Sequence, residues 1–133
     1  MKKGFTLIEL VCVIILLGVI AMIAIPTINS AINSSKEKAY NSQISLIEET
    51  ARTYMAKNPL KLPNQNTSSK AYVCVENLKK SGLITNEDVK NPMYKKNSTE
   101  TKEKFESFDG TVEVTYSGNK YRYKYNNNIK ICA

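Results

Sequence analysis

Residues 4–26 read GFTLIELVCVIILLGVIAMIAIP, and between Phe5 and Ile25 the run carries a single charge, Glu9. At about 1.5 Å of rise per residue, a helix of this length spans roughly 32 Å, enough to cross a hydrocarbon core. Lys2 and Lys3 stand just before it. By the positive-inside tendency they hold their end in the cytoplasm and send the chain beyond Pro26 outward. An ordinary secretory signal ends in small residues at the first and third positions before its cut, and Met22-Ile23-Ala24 does not fit that rule. Cys12 comes after Val11 near the start of the run, so it is read as a space-filling helix residue and not as a lipidated cysteine.

Glu9 needs an explanation, because a carboxylate inside a membrane helix costs about 2.5 to 3.5 kcal/mol and calls for a partner. No lysine or arginine lies between Lys3 and Lys36. A cut between Gly4 and Phe5 would create a cation, placing a new α-amino group four residues from Glu9. That amine could pair within its own helix or with the Glu9 of a neighbouring subunit.

Gly4-Phe5-Thr6-Leu7-Ile8-Glu9-Leu10 resembles the class III signal of type IV pilins and pseudopilins. The resemblance covers about residues 1–26 and implies cleavage after Gly4 by a prepilin peptidase, with methylation of the new terminal residue, Phe5. Lys2 and Lys3 become the basic leader. Glu9 falls on the acidic position that, in the family, neutralises the terminal amine of an adjacent subunit during assembly. Gly18 and Pro26 fall on helix-weakening positions; glycine costs about 1 kcal/mol of helix propensity and proline removes an amide donor. The organisation implied is a leader at 1–4, a membrane and filament-core segment at 5–26, and a head at 27–133.

Beyond Pro26, Ile28, Ile32, Ala39, Tyr40, Ile44, Ile47, Ala51, Tyr54 and Met55 recur mostly at steps of three, four or seven. Asn58-Pro59 is a stop, which predicts one helix from about Phe5 to Lys57, roughly 80 Å long at 1.5 Å per residue. Its first half is apolar all round and its second half carries a stripe that needs a cover. Glu48 and Arg52 are spaced to pair. Residues 59–71, with two prolines and a polar run, read as a surface loop. A short helix is expected from Tyr72 to Ser81, stopped by Gly82, and a capping box at Thr85–Asp88 opens a further helical turn ending at Asn91-Pro92. The charged and hydroxylated run from Lys95 to Glu106 reads as a mobile loop.

Residues 110–126, GTVEVTYSGNKYRYKYN, alternate on both sides of Gly118-Asn119, which predicts a hairpin with a type II′ or I′ turn. The register then pairs Tyr116 with Tyr121, Val114 with Tyr123 and Val112 with Tyr125 on an apolar face. Thr115 meets Arg122 and Glu113 meets Lys124 on a polar one. The apolar face is expected to cover the helix stripe, giving an α+β, pilin-like fold in which a long helix packs against a small antiparallel sheet. Ile129 and Ile131 would add a last strand. The tyrosines could instead form a stacking platform for bases or sugars, although the alternation already accounts for them as core.

The whole chain, 133 residues, suffices for one small domain beyond the membrane segment. Past Pro26 it keeps 17 basic and 11 acidic residues, a balance that suits an anionic partner but is more often a lysine-rich solvated surface. Nucleic acid is therefore possible but not supported. Histidine is absent, which removes the commonest general base and most zinc sites, so no catalytic constellation or cofactor is nominated. Cys74 and Cys132 lie in the exported part and read as a disulfide, which would stabilise the head by roughly 3 to 4 kcal/mol. Three glycosylation-type sequons, at Asn33, Asn66 and Asn97, and the turn-like Asp109-Gly110 carry no weight.

The resulting expectation is a structural subunit of an extracellular type IV pilus-like filament. Its implied partners are copies of itself and related pilins, the prepilin peptidase, an assembly ATPase and a membrane platform protein. A pseudopilin of a type II secretion or competence system is the alternative within the class. A membrane-anchored or secreted monomeric binding domain is the alternative outside it.

Overall fold

The computed structural model describes residues 2–129. Along the sequence the chain divides into two compact units between Lys36 and Glu37. Helix α1, Leu7–Lys57, begins in the first unit and supplies one face of the core of the second. In the first unit every described residue is exposed except Ala24, which is half-buried. In the second, Tyr40, Ile47, Thr50, Ala51 and Met55 are buried, in keeping with the predicted stripe at steps of three, four and seven.

Three strands come after it: β1, Lys70–Cys74; β2, Thr111–Ser117; and β3, Lys120–Asn126. Among the described residues they form one antiparallel sheet in the order β1-β2-β3. The β2-β3 register pairs Tyr116 with Tyr121, Val114 with Tyr123 and Val112 with Tyr125, as the alternation predicts. Both turn residues are left-handed, Gly118 at φ 62° and Asn119 at φ 60°. That is the type I′ geometry, whose twist matches the flanking strands. Val112, Val114 and Tyr125 pack with Tyr40, Ile47, Ala51 and Met55 in one core; of the tyrosine ladder, Tyr125 is buried there, Tyr121 and Tyr123 are half-buried against it and Tyr116 is half-buried.

Phe108 is fully buried at the centre of that core. Its ring centroid lies 5.2 Å from Tyr40, 5.3 Å from Phe105 and 5.5 Å from Tyr125, in tilted or edge-on arrangements that suit aromatic quadrupoles. The Tyr125 hydroxyl accepts from the Gly110 amide at 3.1 Å and donates to Asn127 Oδ1 at 2.9 Å. Burial pushes this phenol far above its ordinary value, so it stays a neutral donor.

Several local expectations are corrected. Residues 70–74 are strand β1, and helix α2 spans only Val75–Lys80. The strand exists because β2 offers it a ladder, Lys70 opposite Thr115 through Cys74 opposite Thr111, and no local signal announces a partner some forty residues away. Within the expected 59–71 loop, Pro59–Lys61 forms a 3₁₀ turn. Gly82, at φ 76°, does stop α2, with its amide on Lys79 O and the Leu83 amide on Leu78 O, a Schellman pattern. The Thr85–Asp88 box forms, Asp88 Oδ2 accepting from the Thr85 amide at 2.9 Å, but it closes a turn and not a helix. Ile129 has no strand assignment, and Ile131 lies outside the described residues.

The charged run from Lys95 to Glu106 is tied down instead of loose. Glu103 is buried and accepts from Lys95 Nζ and Ser98 Oγ, each at 2.8 Å. Asn91, also buried, donates through Nδ2 to Lys102 O at 2.7 Å and Phe105 O at 2.8 Å, and its Oδ1 accepts from the Met93 amide at 3.0 Å. One side chain therefore closes both ends of the segment. Asn91→Ala strips these three bonds from part-buried backbone groups and empties a buried site, so it is expected to cost about 2 kcal/mol. Urea unfolding of the full chain in detergent micelles checks this.

Glu48 and Arg52 do not pair. Arg52 Nε meets Glu49 at 3.3 Å, while Glu48 Oε1 accepts the Tyr125 amide at 2.9 Å. A buried backbone donor outcompetes an exposed ion pair, which is worth little in water.

Candidate functional site

The candidate site is the start of the chain. Residues 2–6 have no regular secondary structure and α1 opens after them, with the first helical bond from the Leu10 amide to Thr6 O at 3.2 Å. Thr6 is the N-cap. Glu9 Oε2 accepts from the Thr6 amide at 2.8 Å and from the Thr6 hydroxyl at 2.9 Å, and the Glu9 amide donates back to Thr6 Oγ1 at 3.3 Å. This is a capping box, in which the N-cap hydroxyl and the acid three residues on satisfy each other's orphan amides. It also sets a negative charge at the positive end of the helix dipole.

The carboxylate thus has a partner within its own chain. The sequence signal for it is the spacing Thr6-x-x-Glu9 and not a cation. The cost of a charge in a membrane helix falls where its acceptor capacity is filled by an amide and a hydroxyl that lie at the same level.

Gly4 lies in chain without regular secondary structure, and a Cβ added there would meet nothing within 4 Å. Neither packing nor backbone strain asks for glycine at this point. Phe5 next to it is 92% exposed, so the Gly4-Phe5 peptide is open to an external agent. Gly18 likewise has nothing within 4 Å of an added Cβ.

Pro26 lies inside α1 without ending it. Proline cannot donate to the carbonyl four residues earlier, and the chain responds next door: the Thr27 hydroxyl donates to Ile23 O at 3.0 Å and Ala24 O at 2.8 Å. Thr27, like Thr6, carries no signal for a reader who looks only for charges and helix breakers. Such back-bonding lets a helix bend at low cost.

The segment after the cap is an exposed apolar surface, including Leu7, Ile8, Leu16 and Met22. By length and composition it is able to cross a membrane. Among the described residues no cluster of His, Cys, Asp and Glu is arranged to hold a metal ion. Cys74 is buried with its Sγ 4.0 Å from Thr111 Oγ1. Cys132 lies outside the described residues, and the expected disulfide with it.

Residues 1–25 match a family model described as the prokaryotic N-terminal methylation motif, the class III signal that marks type IV pilin-like proteins. No curated protein and no solved structure matches the chain significantly. The motif covers the candidate site from Lys2 and Lys3 through Ile25, Pro26 falling just beyond it.

Proposed function

We propose that this chain is a structural subunit of an extracellular type IV pilus-like filament, cut after Gly4, N-methylated at Phe5 and assembled through its N-terminal helix. The observation that carries this reading is the match of residues 1–25 to the methylation motif. The exposed apolar surface of α1 up to Ile25 supports it, because a side chain left open all round needs lipid before assembly and neighbouring helices afterwards.

Each step of such a mechanism uses the chain's own residues. In the precursor, Thr6 holds the Glu9 carboxylate through two hydrogen bonds, which lets a charged helix start reside in a membrane. Cleavage at the exposed Gly4-Phe5 bond creates an α-ammonium one residue before the cap. In a bundle of identical helices, that ammonium and the Glu9 of a neighbour become the only strong opposite charges in an apolar core, and their pairing sets the axial stagger between subunits. Gly18, and Pro26 with its Thr27 bonds, supply the places where the helix gives way during packing.

Lys2 and Lys3 set the orientation: amino end inside, head outside, until extraction into the fibre. The chain brings no energy source, so an assembly ATPase, a membrane platform protein and the prepilin peptidase are the partners this reading requires. The test is intact-mass measurement and N-terminal sequencing of protein from native membranes or shed fibres. The expected chain begins at Phe5 and carries one additional methyl group. A chain beginning at Met1, or after Ala24, would replace this reading with an anchored or secreted binding domain.

A further inference from the structure

Among the described residues, β3 is an edge strand. In a hairpin closed by a two-residue turn, the residues flanking the turn form a hydrogen-bonded pair and the bonding alternates from there. With Ser117 opposite Lys120, the even-numbered residues of β3 bond to β2. Tyr121, Tyr123 and Tyr125 turn their backbone amides and carbonyls away from the sheet.

The Tyr125 amide confirms that parity, since it donates outward to the Glu48 carboxylate at 2.9 Å. Among the described residues nothing occupies the outward groups of Tyr121 and Tyr123. An open edge is a template for another strand.

The charge around this edge is mainly positive, its acids being Glu48 on the Tyr125 amide, Glu49 paired with Arg52 at 3.3 Å and Glu113. Lys120, Arg122 and Lys124 stand exposed on one face of β3, at alternate residues and so about 6.6 Å apart. On the other flank, the Arg52 guanidinium lies 5.1 Å from the centre of the Tyr123 ring. A surface groove along β3 is lined by Arg52, Tyr121, Arg122, Tyr123 and Lys124, with Glu113 also in its lining. That acid is tied to Lys70 at 3.1 Å and offsets little of the positive field.

We propose that the β3 edge docks an extended acidic peptide segment of another protein, which adds to the sheet as a fourth strand. An incoming strand offers both donors and acceptors to the outward groups of Tyr121 and Tyr123. Acidic residues at every second position would fall opposite Lys120, Arg122 and Lys124 with the same spacing. A phosphodiester chain would satisfy the cations but offers the edge carbonyls no donor. Pairing of two β3 edges would oppose lysine and arginine with lysine and arginine, which like-charge repulsion disfavours.

The test uses the full-length, ¹⁵N-labelled chain in detergent micelles and a synthetic peptide of alternating glutamate and valine. The amides of Tyr121 and Tyr123 are expected to shift saturably with this peptide and not with its lysine-for-glutamate counterpart. The double variant R122E/K124E, changed only at exposed side chains, is expected to bind at least about tenfold more weakly with the rest of its spectrum unchanged.

A third peptide keeps the glutamates but carries N-methyl groups on alternate backbone amides, and is expected not to bind. Equal binding of that peptide would overturn the proposal in favour of a charge patch alone. Tighter binding of an oligonucleotide of equal charge would overturn it in favour of nucleic acid. Concentration-dependent broadening of the same amides without peptide would overturn it in favour of a second copy of the chain.

Discussion

Glu9→Ala is expected to leave cleavage after Gly4 intact and to abolish fibres, with processed protein accumulating in the membrane fraction. Two effects add in the same direction. Removing the carboxylate relieves about 2.5 to 3.5 kcal/mol of insertion cost, so the chain is held more firmly in lipid. In a filament it would leave each α-ammonium buried without a counter-charge, at about 3 to 5 kcal/mol per subunit. Electron microscopy of sheared fractions, with immunoblots of the membrane, reads both.

Glu9→Gln separates the two roles the structure gives this residue. Glutamine at the third helical position still completes a capping box, so it keeps the Thr6 bonds and deletes only the charge. Loss of fibres in both variants assigns the function to the charge. Fibres from the glutamine variant would confine Glu9 to capping α1, and fibres from the alanine variant would remove the filament role altogether.

Gly110→Ala is expected to unfold the head or cost at least about 3 kcal/mol. An added Cβ would lie against the Asn126 carbonyl oxygen, well inside van der Waals contact, and 2.7 Å from Asn127 Cα. Both are backbone atoms and cannot rotate away. The only relief is to part β2 from the end of β3, as overpacking does in a tight core. The same residue accepts the Val75 amide at 3.1 Å and donates to the Tyr125 hydroxyl at 3.1 Å, so a shift also disturbs the junction of β1 with α2 and the Phe108 cluster.

Gly118→Ala is the control. A Cβ there meets nothing within 4 Å, and the left-handed backbone alone costs roughly 1 kcal/mol. Urea unfolding in micelles that finds G110A as stable as the unaltered chain would show that the strand ends are looser than described.

Features that rest on neighbours in sequence were legible ahead of the structure. The extent of α1 comes from a run of helical spacing stopped by Asn58-Pro59, and the observed end is Lys57. The hairpin register comes from a two-residue turn between alternating strands, and every expected pair is present. The methylation motif is a local string too, which is why the candidate site could be named residue by residue. Even the partner of Glu9 is local, at Thr6: a hydroxyl and an amide fill the role that its charge leads one to assign to a cation.

The amino-acid sequence by itself therefore determined the apolar helix, its charged start and the tyrosine hairpin, because each is specified by periodicity or by a short motif. Only the tertiary structure decided that residues 70–74 are a strand, since their ladder comes from Thr111–Thr115. It alone turned Glu48 away from Arg52 to an edge amide. It also drew a run of charged residues down onto a buried Asn91 and Glu103. For the strand and for Glu48 the deciding partner is a backbone group brought up from a distant segment, while Asn91 and Glu103 act across one loop; in each case a hydrogen bond that must be satisfied outweighs the weak local preference that the sequence shows.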